Sequence, residues 1–578
     1  MNKKITFIGG GSLQWAPKIL VDFVLTKELE GWRLCLHDID KEALERMERL
    51  GRKIFEEAKG DFYLESTLSL EEALEGADFV ILSISTGGLA TMRYDLEIPL
   101  KYGVYQSVGD TVGPGGLSRA LRNIPVVVDI AKKMEKLCPD AYLLNYTNPM
   151  STLCRAVTKT TSIKTIGLCH ELLFVLQGLR ELLNLKKTAN IQTVTAGINH
   201  FTWILKLTID RKDGFSLLRE FIRQNGKRFR EDFEKNIDWE SLDPFKDNKL
   251  LKIELFKVYG YLPAAGDRHI AEFFPYFLTE KTRAGRDYGI KLTKIEDREK
   301  KMQEAKIAIE SILEGKRNIV LERSGEKACD IIASLATGKR GVFMMNLPNQ
   351  GQIANLPQDV IVETPALVDA NGVHPISVGE LPLSILSLTT HHIANQEMIV
   401  EAALTGNKTL ALQALINDPL VKNFKDAINQ LERFREKEEE SFKALGEEKA
   451  EIAKILKEIG KLERTISSFE ERIKTLKLLG VDVSEVETPL KNAKNLVKEA
   501  LTQIKLGNNK VAKEALDKAE ETIDDVEDIL EQVEEEVEER VKEKTEEKFT
   551  QLQEKISKLQ EEINILKEKG MDLSLIHI

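Results

Sequence analysis

The chain has 578 residues, 42% hydrophobic and 31% charged, which at roughly 150 residues per domain is about four units' worth of length and more than one compact core can hold. Asp and Glu number 94 against 83 Lys and Arg, a formal charge of −11 that argues against a non-specific grip on nucleic acid or an anionic membrane. The five scattered cysteines (Cys35, Cys138, Cys154, Cys169, Cys329) do not form a secreted disulfide pattern, and no apolar stretch reaches about 18 residues, so a cytoplasmic protein with reduced thiols is expected.

In residues 1–165 short apolar runs alternate with amphipathic stretches. Residues 5–8, 34–36, 79–84 and 142–144 read as strands, separated by helical segments such as 41–58; this pattern predicts a Rossmann-type parallel α/β domain. Residues 166–436 mix strands near 193–196 and 203–209 with helices near 300–313 and 395–403, which predicts an α+β substrate domain packed on the first.

After residue 436 the composition turns to Glu, Lys, Leu and Ile. Ile452, Ile455, Ile459, Leu462, Ile466, Phe469, Ile473 and Leu476 are spaced alternately by three and four, as are Phe549, Leu552, Ile556, Leu559, Ile563 and Leu566. An all-α coiled-coil tail over 437–573 is predicted, with breaks at Gly480 and Gly507-Asn-Asn, Ser484 as an N-cap, and a stutter at Val537, Val541, Thr545 and Phe549. Self-association into a homo-oligomer, or docking of a partner, is its expected role. Residues 574–578 do not continue the heptad and resemble translated read-through more than a helix end.

Gly9-Gly-Gly-Ser12 follows the first strand and precedes an amphipathic helix. There, glycines let a backbone approach a pyrophosphate and a helix N-terminus offers free N–H groups. Gln14 occupies the place of the third glycine of the full motif, so the match is partial. Asp38 ends the second strand and suits both ribose hydroxyls of NAD. The plainer reading is a tight turn beside a surface aspartate. Cys169, in Gly-Leu-Cys-His-Glu, and His200, in Ile-Asn-His-Phe, stand beside apolar runs and could hold one divalent ion. Taken alone, such a pair also reads as a buried cysteine and a core histidine.

Gly9-Gly-Gly-Ser12, Asp110-Thr-Val-Gly-Pro-Gly-Gly116, Asn145-Tyr-Thr-Asn-Pro-Met150, Cys169-His-Glu171, Asn199-His200 and Asn346-Leu-Pro-Asn-Gln-Gly351 occur together and in this order. Over residues 1–436 the chain resembles glycoside hydrolase family 4, whose NAD-dependent chemistry is an exception to the two-carboxylate scheme. The resemblance implies a lactate/malate dehydrogenase-like fold, NAD and Mn2+ (or another divalent metal) as cofactors, and a small glycoside as substrate. It also implies a redox route in which C3 of the sugar is oxidised, the C2 proton is removed, the leaving group is eliminated, water adds at C1 and the hydride returns.

Residue by residue, the resemblance implies that Gly9, Gly10, Gly11, Ser12, Asp38 and Asn145 bind the cofactor and that Cys169 and His200 bind the metal. Arg93, Asp110 and Asn148 become sugar contacts. The family's tyrosine base is missing from the loop at 262–274, so Asp267 is the expected C2 base, with His269 second and Tyr276 third. His170 is the expected acid for the leaving group. Cys-His-Glu points away from phosphosugars, and Arg268, beside His269, inclines the reading to a uronide because a guanidinium pairs a carboxylate bidentately. Arg93 also reads as a surface ion pair, Asp110 as a helix cap, and Asp267 as an ion pair with Arg268 or a loop turn. His391 and His392 read as packing and surface residues. Two rivals stand: an NAD-dependent 2-hydroxy acid dehydrogenase, which the absence of a Gly-Glu-His-Gly-Asp segment disfavours, and a coiled-coil interaction protein with an inactive front.

Overall fold

The computed structural model describes residues 3–505 and 508–568, and the chain divides into two compact units, Met1–Glu438 and Glu439–Ile578. In the first unit β1 (Lys4–Ile8), β2 (Arg33–His37), β3 (Tyr63–Thr67), β4 (Phe79–Leu82), β5 (Tyr142–Asn145) and β6 (Lys164–Gly167) run parallel in the order 3-2-1-4-5-6, the doubly wound arrangement of dinucleotide-binding sheets. Alternation along these strands sends Ile5, Phe7, Phe79 and Ile81 into one core, with helices Ala16–Leu25 and Lys41–Ala58. Ile8, Val80 and Leu82 enter the other, with helices Gly113–Leu137 and Met150–Thr160. Both faces are therefore covered, which is why every residue of β1 and β4 is buried.

The remaining strands are β7 (Ile191–Ile198), β8 (Phe201–Ile209), β9 (Lys212–Asp213), β10 (Leu262–Pro263), β11 (Gly341–Pro348), β12 (Ile361–Asp369) and β13 (Gly372–Pro375). They extend the same sheet in antiparallel fashion: β11 joins β6 where Asn346 faces Gly167, then β12, β7, β8 and β10 follow. Residue 165 falls inside β6, so the sheet runs unbroken across the boundary expected from the sequence. The run expected at 79–84 stops at Leu82: Ser83 makes a last bond to the Ile8 carbonyl, and the Ile84 amide donates to Thr147 Oγ1 in place of a strand carbonyl. The helices expected near 300–313 and 395–403 extend to Ile295–Leu313 and Leu383–Thr405. Loops that follow β1, β2, β5 and β6 carry Gly9 to Ser12, Asp38, Asn148, Cys169 and His170 to the same end of the parallel strands, where such sheets bind ligands.

Helix Phe424–Leu478 contains residue 438, the last of the first unit. Within the second unit Ile455, Ile459, Leu462, Ile466, Phe469 and Ile473 pack with Val486, Leu490 and Val497 of helix Ser484–Lys505 and with Leu516, Ile523, Val526 and Leu530 of helix Asn509–Glu568. Gly480, at φ +79°, makes the first turn. Ser484 is the first residue of its helix, and its amide donates to Asp482 Oδ1. Gly507 and residues 574–578 lie outside the described residues. Among the described residues no helix is long and apolar enough to cross a membrane.

Candidate active site

The glycine turn is dictated by crowding. A Cβ on Gly9, which sits at φ +88°, would lie 1.9 Å from the Ser83 carbonyl oxygen, and one on Gly10 would lie 2.9 Å from Leu36 Cβ. The Gly11 amide donates to Asp38 Oδ2 at 2.9 Å, and Ser12 Oγ accepts from the Trp15 amide at 3.1 Å, so Asp38 is tied to the turn and Ser12 braces the entry to the helix behind it. This cradle fits a dinucleotide: small residues, a helix start and an acid at the end of β2. The Asn145 amide is engaged locally, Oδ1 accepting from Thr147 N at 2.9 Å and Nδ2 donating to Thr147 O at 3.0 Å. It thus shapes the turn that presents Asn148. The Asn148 Oδ1 is buried with no hydrogen-bond partner, as suits an acceptor kept for a substrate hydroxyl.

Asp110, His200 and His269 bring one ligand atom each within 4.8 Å of one another. Asp110 lies on the loop before helix Gly113–Leu137, His200 at the β7–β8 turn with φ +63°, and His269 on the single turn Asp267–Ile270. Thr111 Oγ1 is 2.8 Å from Asp110 Oδ1 and 2.8 Å from His200 Nδ1. A hydroxyl has one proton; given to the carboxylate, it must accept from Nδ1–H, leaving the His200 Nε2 lone pair free for a cation. Burial lowers the pKa of His200 and brings His269 down to about 3. Burial would raise Asp110, but His269, His200, Arg298 and Arg119 hold it well below the usual carboxylate range. Two neutral imidazoles and a carboxylate are a donor set that fits a divalent ion.

Cys169 is half-buried and is not one of that group of three, which joins Asp110 and His269 to His200. Burial pushes the Cys169 thiol well up, with Glu363 and Glu171 adding to the shift while the Asn199 side chain opposes it. Asn199 Nδ2 donates to Glu363 Oε2 at 3.1 Å and its Oδ1 is left buried without a partner. A cation would draw the thiol to its deprotonated form.

Other expected residues are engaged differently. Arg93 meets Glu97, Glu296 and Glu299 at 2.9–3.0 Å, the ion-pair alternative, because helix Ile295–Leu313 presents two carboxylates to it. Asp267 accepts from the Leu251 and Lys252 amides at 2.9 and 3.1 Å and pairs with Lys252 Nζ at 3.0 Å, so both oxygens serve the start of helix Leu250–Tyr259. The residue expected as the C2 base is thus engaged at a helix start, although burial raises its pKa to about 6, and its ion-pair partner is Lys252, not Arg268. Tyr276 is exposed. His170 Nδ1 is 3.3 Å from Glu326 Oε1, with its ring 5.9 Å from Trp15 beside the glycine turn. His392 is buried against Phe273 and Phe201, with Nε2 3.0 Å from the Phe273 carbonyl, while His391 is exposed.

Of the arginines around this group the sequence pointed to Arg268 alone; Arg119 and Arg298, like the acids Glu272 and Glu171, were not singled out. Arg119 Nε donates to Asn148 O at 3.1 Å, Arg268 Nη1 to Pro244 O at 3.3 Å, and Arg298 Nη2 to Val108 O at 2.9 Å. Among the described residues none of the three forms a salt bridge, and Nε of Arg268 and of Arg298 is buried without a partner. Burial lowers both pKa values, Arg298 to about 10, against the pull of Asp110. Glu272 accepts from the Val108 and Gly109 amides at 2.7 and 2.9 Å and so fixes the loop that carries Asp110; burial pushes it up to about 8. Glu171 accepts from Gly266 N at 2.6 Å and lies 3.6 Å from His269 Nε2; burial opposes its charge, but the surrounding histidines bring it down to about 2. Its place in Cys-His-Glu was a usable signal. Arg298, on a helix crowded with surface charges, offered none.

The model for the family 4 glycosyl hydrolases matches residues 4–185, and that for the family's C-terminal domain matches residues 195–421. An alpha-galacturonidase of Thermoanaerobacter italicus is 38% identical over 426 residues, covering 72% of this chain and 92% of its own. A crystal structure from Bacillus subtilis, described as that of a glucosidase, is 36% identical with a TM-score of 0.69 and covers 75% of this chain and 99% of its own. A 6-phospho-alpha-glucosidase from gut microorganisms, solved with NAD and Mn2+, has the same fold at 24% identity and a TM-score of 0.61, covering 75% of this chain and 98% of its own.

Proposed function

Because this chain belongs to the family 4 glycosyl hydrolases, which act with NAD and a divalent metal, we propose that its substrate is an α-galacturonide. The observation that carries this reading is the cluster of Arg119, Arg268 and Arg298, none of them salt-bridged among the described residues, around Asp110. Asp110, Glu171, Glu272 and Asp243 all act on Arg268, yet among the described residues none of the three guanidiniums is paired with a carboxylate at contact distance, which leaves them for a sugar that carries its own carboxylate. The identity to an alpha-galacturonidase supports the same reading.

The turn Gly9 to Ser12 and Asp38 would hold NAD, which would supply reversible hydride exchange, and Asp110, His200 and His269, with Cys169 as the family's further ligand, would hold a divalent ion, which would supply Lewis acidity beside the sugar hydroxyls. The chain's own groups do the rest. Asn148 Oδ1 accepts from a sugar hydroxyl and so fixes the ring. Glu171 is the ionised carboxylate within reach of the cation group, and as a weak base it would receive the C2 proton only once a cation and the C3 ketone had acidified that proton. His170, oriented by Glu326, protonates the leaving oxygen. All five cysteines are free thiols, which supports a reducing, cytoplasmic setting.

A panel of nitrophenyl α-galacturonide, α-glucuronide, α-galactoside and α-glucoside, run with NAD, Mn2+ and reductant, tests the proposal. The galacturonide is expected to be cleaved with the highest kcat/KM; an equal or higher value for the neutral α-galactoside would overturn the uronide assignment.

A further inference from the structure

We propose that the distal part of helix Asn509–Glu568 forms a parallel two-stranded coiled coil with the same segment of a second copy of this chain. Up to Val537 this helix packs on the second unit's core. Beyond it the seam faces solvent: Val541 is 59% exposed, Phe549 65%, Leu552 58%, Ile556 54% and Leu559 55%. A single helix does not retain so regular an apolar stripe for contact with water.

The pattern identifies the occupant. Phe549, Ile556 and Ile563 fall at position a of the repeat and Leu552, Leu559 and Leu566 at position d; at the two isoleucine layers, a β-branched a with leucine at d favours two parallel strands. In a parallel pair position g of one strand faces the following e of the other. Here Lys548 meets Gln553 and Lys555 meets Gln560, so no like charges oppose one another. The seam is thus complementary to itself. The four-residue spacing at Val537 to Phe549 separates it from the intramolecular core, which lets the two associations keep different geometries.

The test uses the full chain carrying Leu559→Cys, oxidised with a mild disulfide catalyst at micromolar concentration. A parallel, in-register pair faces the two introduced thiols, so an interchain cross-link at residue 559 is expected at a level about tenfold above the unaltered chain and above Thr550→Cys, at position b. Adding Ile556→Lys and Ile563→Lys should lower it by about tenfold while circular dichroism and glycosidase activity stay unchanged. Equal cross-linking at residues 550 and 559, or cross-linking indifferent to the two lysines, overturns the proposal.

Discussion

Thr111 Oγ1 sits 2.8 Å from His200 Nδ1 and donates its one hydrogen bond to Asp110 Oδ1. One hydroxyl therefore sets the tautomer of an imidazole and steadies a carboxylate of the same group. Thr111→Val keeps the volume and removes this control, so Mn2+ affinity is expected to fall by about 10–100-fold, as for other groups that orient metal-binding histidines. Thr111→Ser should retain it. Calorimetric titration of Mn2+ into the three proteins decides; equal affinity for the valine variant would remove the tautomer argument.

Arg298 has no carboxylate partner among the described residues and a buried, unpartnered Nε. Arg298→Gln is expected to cost about 1.5–3 kcal/mol of transition-state binding for a uronide, roughly 10- to 150-fold in kcat/KM, since a charged hydrogen bond is lost. Hydrolysis of a neutral α-galactoside should change little. Equal losses on both substrates would mean that Arg298 supports the loop at Val108 and reads no charge.

Gly9 is tied to its place by both backbone sign and space. Gly9→Ala forces a Cβ into the Ser83 carbonyl, so the turn must move and NADH affinity, read by nicotinamide fluorescence, is expected to drop by at least about tenfold. The unfolding temperature reports any wider damage.

Burial lowers the pKa of His392 from 6.5 to about 4. The unfolded chain binds a proton between these values and the folded one does not, so stability is fully present above pH 6.5 and falls as the pH drops toward 4. At pH 4.5 the loss from this group is about 2–3 kcal/mol. His392→Gln, which can still donate to the Phe273 carbonyl, should flatten the pH dependence by that amount. Urea unfolding at pH 7 and 4.5 measures it; an unchanged slope would show that His392 titrates normally.

Much of this was legible in the residues alone. The alternation that buries Ile5, Phe7, Phe79 and Ile81, the helix at 41–58, the glycine turn and the three-and-four spacing from Ile455 to Leu476 all express constraints acting between near neighbours in the chain. A period, a φ sign or a missing Cβ is a local property, and a sequence records it directly.

Which lone pairs remain free is not local. Asp267 and Arg93 have suitable chemistry and suggestive motifs, yet Lys252 and two amides engage one and Glu97, Glu296 and Glu299 the other. Asp110, His200 and His269 become a single group only where a loop, a hairpin turn and a helical turn converge. Hydrogen bonding and charge pairing act over a few ångströms in space whatever the separation along the chain, so only the folded arrangement decided which acids, imidazoles and guanidiniums were left to meet a cation and a sugar.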